Sequence, residues 1–210
     1  MNQNERFYDF VDQETVEIYQ RFPLIGFVLD VGGGMGTTAY QAGIPADSYI
    51  SVDPLVSLWS CLPAEGGFVK HYKSIENHRR VPGYAEDLPI WNSCVDTVHM
   101  RSCLDHFSNP HRALLEARRV LKRDGQLIIG LSLEGAYKIN AYGIKNKLKS
   151  VVKRSFLGDF YGHFFDPHIF HPTSNSLRKL VEIAGFLITD WYLQPGYHNV
   201  VYIRAVPKDS

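Results

Sequence analysis

Asp30-Val31-Gly32-Gly33-Gly34-Met35-Gly36 decides how this chain is read, because a carboxylate stands at the entrance of a glycine-rich loop. The run before it, Gly26-Phe27-Val28-Leu29-Asp30-Val31, is short and apolar, as a buried parallel strand should be. Thr37-Thr38-Ala39-Tyr40-Gln41-Ala42 behind it can carry a helix. A strand, a glycine turn and a helix bring backbone N–H groups and bare Cα atoms close to a ligand. The spacing then selects among ligands. A dinucleotide fingerprint starting at Gly32 needs glycine where Thr37 stands, so the pattern is instead acidic-x-Gly-x-Gly-x-Gly.

Downstream segments follow in a consistent order. Tyr49-Ile50-Ser51-Val52-Asp53 is a second short strand ending in an acid. Asp53 lies roughly 20 residues beyond the loop, where an α/β nucleotide fold places the carboxylate that accepts both ribose hydroxyls. Gly83-Tyr84-Ala85-Glu86-Asp87-Leu88-Pro89-Ile90, then Val95-Asp96-Thr97-Val98-His99-Met100 and Leu104-Asp105-His106-Phe107, come next. The stretch from Ala113 to Leu127 adds a helix, a turn at Gly125 and the start of a fifth strand.

Taken together, residues 26–134 resemble the class I S-adenosylmethionine-dependent methyltransferases, methyltransferase type 11 in particular, and Ala184-Gly185-Phe186 extends the likeness. The resemblance implies a doubly wound, Rossmann-like α/β sheet of seven strands, ordered 3-2-1-4-5-7-6, with the last strand antiparallel. It implies S-adenosyl-L-methionine as cofactor, with Asp30 orienting the loop and the cofactor's amino group, directly or through water. Gly32, Gly33, Gly34 and Gly36 would form the cradle, and Asp53 would hold the ribose. The family segment around Ala85 wraps the adenine, and Tyr84 stands where the family often has an aspartate; Glu86 or Asp87 could take over that contact. Met100 and Arg101 end the fourth strand beside the cofactor. Arg101 either contacts the cofactor carboxylate or caps the strand.

Methyl transfer from a sulfonium is an in-line displacement in which the cofactor supplies the reactive carbon and the leaving group. The protein mainly has to position the acceptor. In an open parallel sheet the ligand crevice lies at the carboxyl ends of the strands where their order reverses, between strands one and four. Asp105 and His106 are therefore the catalytic candidates, with the imidazole as the base for an acceptor hydroxyl. Anchoring the loop is the alternative role for this pair. The expected reaction is O-methylation of a small molecule, a sugar or another biosynthetic intermediate. A non-catalytic cofactor-binding protein and, further off, a nucleotide-dependent oxidoreductase are the rival readings.

The composition sets bounds. The chain has 210 residues, 45% of them hydrophobic, enough for one substantial core and one domain, 1–210. Lys plus Arg and Asp plus Glu number 22 each, so no global field favours nucleic acid or a membrane, and no nucleic-acid partner is expected. Cys61, Cys94 and Cys103 form no C-x-x-C pair, which favours small buried thiols of a reducing compartment over disulfides or a zinc cluster. With no apolar signal core at the N-terminus and no run of membrane-spanning length, the chain reads as soluble and cytoplasmic.

Residues 5–21 are expected to form a leading helix with Phe7, Phe10, Val11 and Ile18 on one side. Asn109-Pro110 caps a helix whose stripe is Ala113, Leu114, Ala117, Val120 and Leu121. Gln126 to Leu133 reads as a buried strand, Thr173 as a cap for a helix stopped by Gly185, and 186–194 with 199–206 as a terminal hairpin. Residues 66–81 hold at most a short edge strand, because Pro82 interrupts it.

Residues 135–172 exceed what such a core needs and read as a cap insertion on the substrate side. Within it, residues 138–154 form a basic amphipathic stretch, suited to a phosphate-bearing acceptor or a membrane surface, or else a solvated face. Phe160, Tyr161, Phe164, Phe165 and Phe170 could line an acceptor pocket or pack as the cap's own core. His163, Asp166, His168 and His171 carry metal-ligating chemistry, but Pro167 and Pro172 break their spacing, and no metal is expected.

Overall fold

The computed structural model describes residues 17–34, 36–57, 79–138, 169 and 171–208. A seven-stranded sheet organises them: β1 (Val28–Val31), β2 (Tyr49–Val52), β3 (Arg79–Val81), β4 (Val95–Arg101), β5 (Leu121–Lys138), β6 (Phe186–Leu193) and β7 (Tyr197–Pro207). Their order is β3-β2-β1-β4-β5-β7-β6, the arrangement expected from the sequence. The strands from β1 to β5 run parallel, and β7 inserts antiparallel between β5 and β6. The order reverses between β1 and β4, so the carboxyl ends of those two strands flank the crevice.

The helices whose bounds both fall within the described residues are α1 (Thr37–Gln41), α2 (Pro110–Val120) and α3 (Ser174–Ile183). The caps are the expected ones. Asn109 Oδ1 accepts from Arg112 N at 3.0 Å with Pro110 in the first turn, and Thr173 Oγ1 accepts from Ser176 N at 3.2 Å. Gly185 follows α3 at φ +85°. Residues 17–21 are helical, the end of the expected leading helix, and Ile18 is buried there; Phe7, Phe10 and Val11 lie outside the described residues.

The two faces of the sheet differ. Leu29, Val31, Val98, Met100, Leu127 and Ile129 join Leu114, Ala117, Leu177 and Val181 of α2 and α3 in the main core. The opposite face meets residues 17–22 and α1, through the smaller clusters of Ile18, Phe22, Ile128 and Tyr202 and of Val28, Ala39 and Tyr49. That second face also carries a polar row, because register aligns Ser51, Asp30 and His99 across β2, β1 and β4. All three are buried.

Two boundaries differ from the expectation. Leu121 adopts extended backbone at the end of α2 and pairs with Val95, so β5 begins there, and the expected turn at Lys122–Gly125 becomes an irregularity in the ladder between Val95 and Thr97. β5 also continues to Lys138, where Tyr137 and Lys138 pair with His198 and Tyr197. Residues 135–138, expected at the start of the cap, therefore extend the sheet, because β7 offers them an antiparallel ladder that local sequence does not reveal. β3 is the short edge strand anticipated before Pro82.

Candidate functional site

The glycine loop leaves β1 and closes onto β2. Gly34 N donates to Asp53 Oδ2 at 3.1 Å, and Leu55 N donates to Asp53 Oδ1 at 2.8 Å, so both oxygens of this buried carboxylate have backbone donors. The loop glycines serve different purposes. A Cβ on Gly33 would stand 2.6 Å from both Asp30 Oδ2 and Ser51 Oγ, so only a bare Cα fits over those groups. A Cβ on Gly34 would meet no atom of the described residues within 4 Å, yet its φ of +53° favours glycine. Gly33 is thus set by the protein beneath it, whereas Gly34 faces open space. Gly32 packs against Cys103, and Gly36 N donates to Gly33 O as α1 begins.

Asp30 is more enclosed than its expected role suggests. Its Oδ1 lies 2.7 Å from His99 Nδ1, and its Oδ2 accepts from the hydroxyl of Tyr49. Beyond the imidazole, the Tyr19 hydroxyl lies 3.3 Å from His99 Nε2, with the two rings edge to face at 5.6 Å. Burial pushes the Tyr49 phenol well up, with the Asp30 carboxylate adding to it. Burial likewise pushes the Tyr19 phenol up to about 12, against the lowering influence of Arg101. Both phenols keep their protons and can donate. Sequence reading missed His99, Tyr19 and Tyr49. The available signal was a histidine inside an apolar strand, but its partner is 69 residues away.

Arg101 ends β4 on the same face. Burial works against its charge, but the phenols of Tyr202 and Tyr19 and the carboxylate of Asp30 outweigh it and leave the pKa raised. Its Nη1 donates to Gln41 Oε1 at 3.3 Å, and among the described residues no carboxylate lies within ion-pair distance of it. Met100, expected beside the cofactor, is fully buried in the main core. Cys103 donates to Val31 O at 3.2 Å, and burial, with Asp30 behind it, pushes its thiol well up; it packs under the loop as an inert thiol.

On the adenine-side segment, Ala85 and Leu88 are buried and Tyr84 is exposed. Glu86 Oε1 accepts from Asn109 N at 3.1 Å, so this carboxylate braces the start of α2, while Asp87 is exposed. Glu116 of α2 holds the same segment. Its carboxylate accepts from Leu88 N at 2.9 Å and from two nitrogens of Arg119, at 2.9 and 2.6 Å. Arg119 in turn donates to Leu88 O and Ile90 O. The Arg119 hydrogen bonds hold the Glu116 carboxyl below its usual value.

A carboxyl depressed on folding contributes stability above its unfolded pKa of about 4.3 and loses it as pH falls through the folded value. Glu116→Gln should therefore cost about 1 kcal/mol near neutrality. The difference from wild type should shrink with acidification below that unfolded pKa. Urea titrations stepped from about pH 7 to about pH 2 measure it, and a constant difference across the range would assign the effect to shape rather than charge.

After β4 a single 3-10 turn, Leu104–His106, carries the catalytic candidates. Asp105 is buried and His106 exposed, so only the imidazole reaches out from this turn. Asp105 O accepts from Ile169 N at 2.8 Å, and Glu134 N donates to Pro172 O at 3.0 Å. The segment before α3 thus returns to the same rim at which β5 ends. His171 is exposed, while His163, Asp166, His168, the aromatics Phe160 to Phe165 with Phe170, and residues 139–154 lie outside the described residues. Among the described residues no three metal-ligating side chains gather, and no helix is long and apolar enough to cross a membrane.

Residues 29–129 match the family model of the methyltransferase domain. The chain is 33% identical over 102 residues to the uncharacterized methyltransferase YcgJ of Bacillus subtilis, a match covering 49% of this chain and 39% of that one. It is 24% identical over 178 residues to the ubiquinone/menaquinone biosynthesis C-methyltransferase UbiE of Idiomarina loihiensis, covering 80% of this chain and 69% of that one. Among solved structures, the Burkholderia thailandensis 1,6-didemethyltoxoflavin-N1-methyltransferase, with its acceptor and S-adenosylhomocysteine bound, superposes with a TM-score of 0.59 at 18% identity. That likeness covers 94% of this chain and 77% of that one. The sheet order, the glycine loop closing on Asp53 and the crevice between β1 and β4 accompany a methyltransferase-domain match over residues 29–129, just under half of this chain, so the likeness to the class I S-adenosylmethionine-dependent methyltransferases is one of domain and fold.

Proposed function

We propose that the chain transfers the methyl group of S-adenosylmethionine to an oxygen of a small-molecule acceptor, a sugar or another biosynthetic intermediate. The observation that carries this is the convergence at one crevice of the loop closed on Asp53 and the 3-10 turn bearing His106. Gly32, Gly33, Gly34 and Gly36 form the cradle in this reading, and Asp53 takes the ribose. Gly34 supports it by presenting bare backbone to open space. Arg101, a largely enclosed cation whose hydrogen-bonding partners among the described residues include the neutral side chains of Gln41 and Tyr19, suits the cofactor carboxylate. Ala85 and its neighbours line the adenine, with Asp87 freer to reach it than Glu86, which is spent on Asn109.

A small acceptor is favoured by the match to methyltransferase domains and by the contact of Ile169 N with Asp105 O, which brings the described residue before α3 to the turn bearing His106. The balanced charge of the chain fits a cytoplasmic enzyme without a polyanionic acceptor. His106 acts as the base. A phosphate on the acceptor would fall to the basic residues 138–154.

Asp53→Ala should weaken S-adenosylhomocysteine binding by about 1–3 kcal/mol, both by removing the ribose acceptor and by releasing Gly34 N. Calorimetry measures this, and unchanged affinity in a folded variant would place the ribose elsewhere. Methyl transfer to a panel of hydroxyl-bearing acceptors, run beside that titration, separates an enzyme from a binding protein. Binding without transfer to any acceptor would favour the latter.

A further inference from the structure

The buried group that methyl transfer does not use is His99. A histidine at the centre of a parallel sheet needs partners for both ring nitrogens, and here each belongs to a different part of the fold. Nδ1 lies 2.7 Å from Asp30, the residue under Gly33, and Nε2 lies 3.3 Å from the hydroxyl of Tyr19, just ahead of β1. A carboxylate at Nδ1 requires the ring proton there. The second nitrogen of a neutral ring is then an acceptor, and Tyr19, whose phenol burial keeps protonated, is the donor.

We propose that His99 is a positioning residue, a neutral imidazole protonated at Nδ1 that transmits the placement of Tyr19 through Asp30 to the glycine loop. The chain of causes is physical at each link. Asp30 fixes the ring proton on Nδ1; the Tyr19 hydroxyl, donating to Nε2, holds the ring in place against it; and Asp30, also held by Tyr49, supports Gly33 from below. Asp30 is thereby committed to the scaffold, with its side chain 2% exposed, rather than to the amino group of the cofactor. His99 thereby links residues 17–21 to the cofactor loop through one ring.

This inference rests on the loop being the cofactor cradle, and the test separates the two ideas. His99→Asn keeps an amide donor for Asp30 but cannot reach Tyr19, so it breaks only one arm, and Tyr19→Phe breaks the same arm from the other side. Each should weaken S-adenosylhomocysteine binding by about three- to tenfold, and the double variant should be no weaker than Tyr19→Phe, which also releases Arg101. His99→Leu, losing both arms, should bind more weakly than His99→Asn. Losses that multiply in the double variant would mean independent sites and would overturn the coupling. So would His99→Leu binding as wild type does.

Ring ¹⁵N resonances of the ligand-free protein provide a readout independent of the cofactor. They should report the Nδ1-protonated neutral form in wild type and in Tyr19→Phe, with the Nε2 resonance displaced in the variant by the loss of its hydrogen-bond donor. A ring protonated at Nε2 in wild type would overturn the proposal even if every affinity fell. Should His99→Leu fail to fold, the Asn and Phe cycle with the ring spectra still decides.

Discussion

Gly34→Val should abolish measurable binding of S-adenosylhomocysteine while leaving the far-UV spectrum and the melting transition close to wild type. Among the described residues a Cβ at Gly34 meets no atom within 4 Å, so the branched side chain displaces none of them. It fills the space in front of the loop instead. The φ of +53° adds backbone strain of about 1–2 kcal/mol. Gly43→Val is the matched control, since Gly43 has φ +64° and equally empty surroundings away from the loop. It should show the same strain and retain binding. Gly33→Ala behaves differently, because its Cβ would press on Asp30 and Ser51, so stability falls together with affinity. Normal binding by Gly34→Val would remove the cradle and the cofactor geometry built on it.

His106→Ala should lower turnover by about 10²–10⁴-fold, the usual contribution of a positioned base, with cofactor affinity nearly unchanged. The contrast with Asp105 makes this testable. The Asp105 side chain is buried, so its replacement disturbs the turn, whereas the His106 side chain is exposed. Single-turnover kinetics with a competent acceptor, on His106→Ala beside His163→Ala, His168→Ala and His171→Ala, assigns the base. Full turnover in His106→Ala with loss in one of the others would move the proton transfer to the insertion.

Much of this protein was legible along the chain because the determining signals are local. Asp30 to Gly36 announces strand, turn and helix within nine residues either side; Asn109-Pro110 and Thr173 are caps whose bonds span three residues; Pro195-Gly196 turns a hairpin between two alternating strands. The sheet order came from the family resemblance that these collinear segments carry, and the structure has the same order. Boundaries set by a distant partner were not legible. β5 runs on to Lys138 because β7 is beside it, and Leu121 leaves the helical pattern because Val95 offers a ladder.

The site divides in the same way. The sequence by itself determined the loop, its closing acid Asp53 and the turn carrying His106, since backbone geometry needs glycine, and chemistry needs a carboxylate, at fixed offsets from strand ends. Tertiary structure alone decided what stands beneath them. Asp30, read as a cofactor ligand, is held by His99 and Tyr49; Glu86 braces Asn109; Met100 fills the core; and Arg101 is enclosed by phenols. The reason is register. Asp30, Ser51 and His99 become neighbours only when three strands align, and a buried carboxylate at that row must find donors across the sheet wherever the chain supplies them.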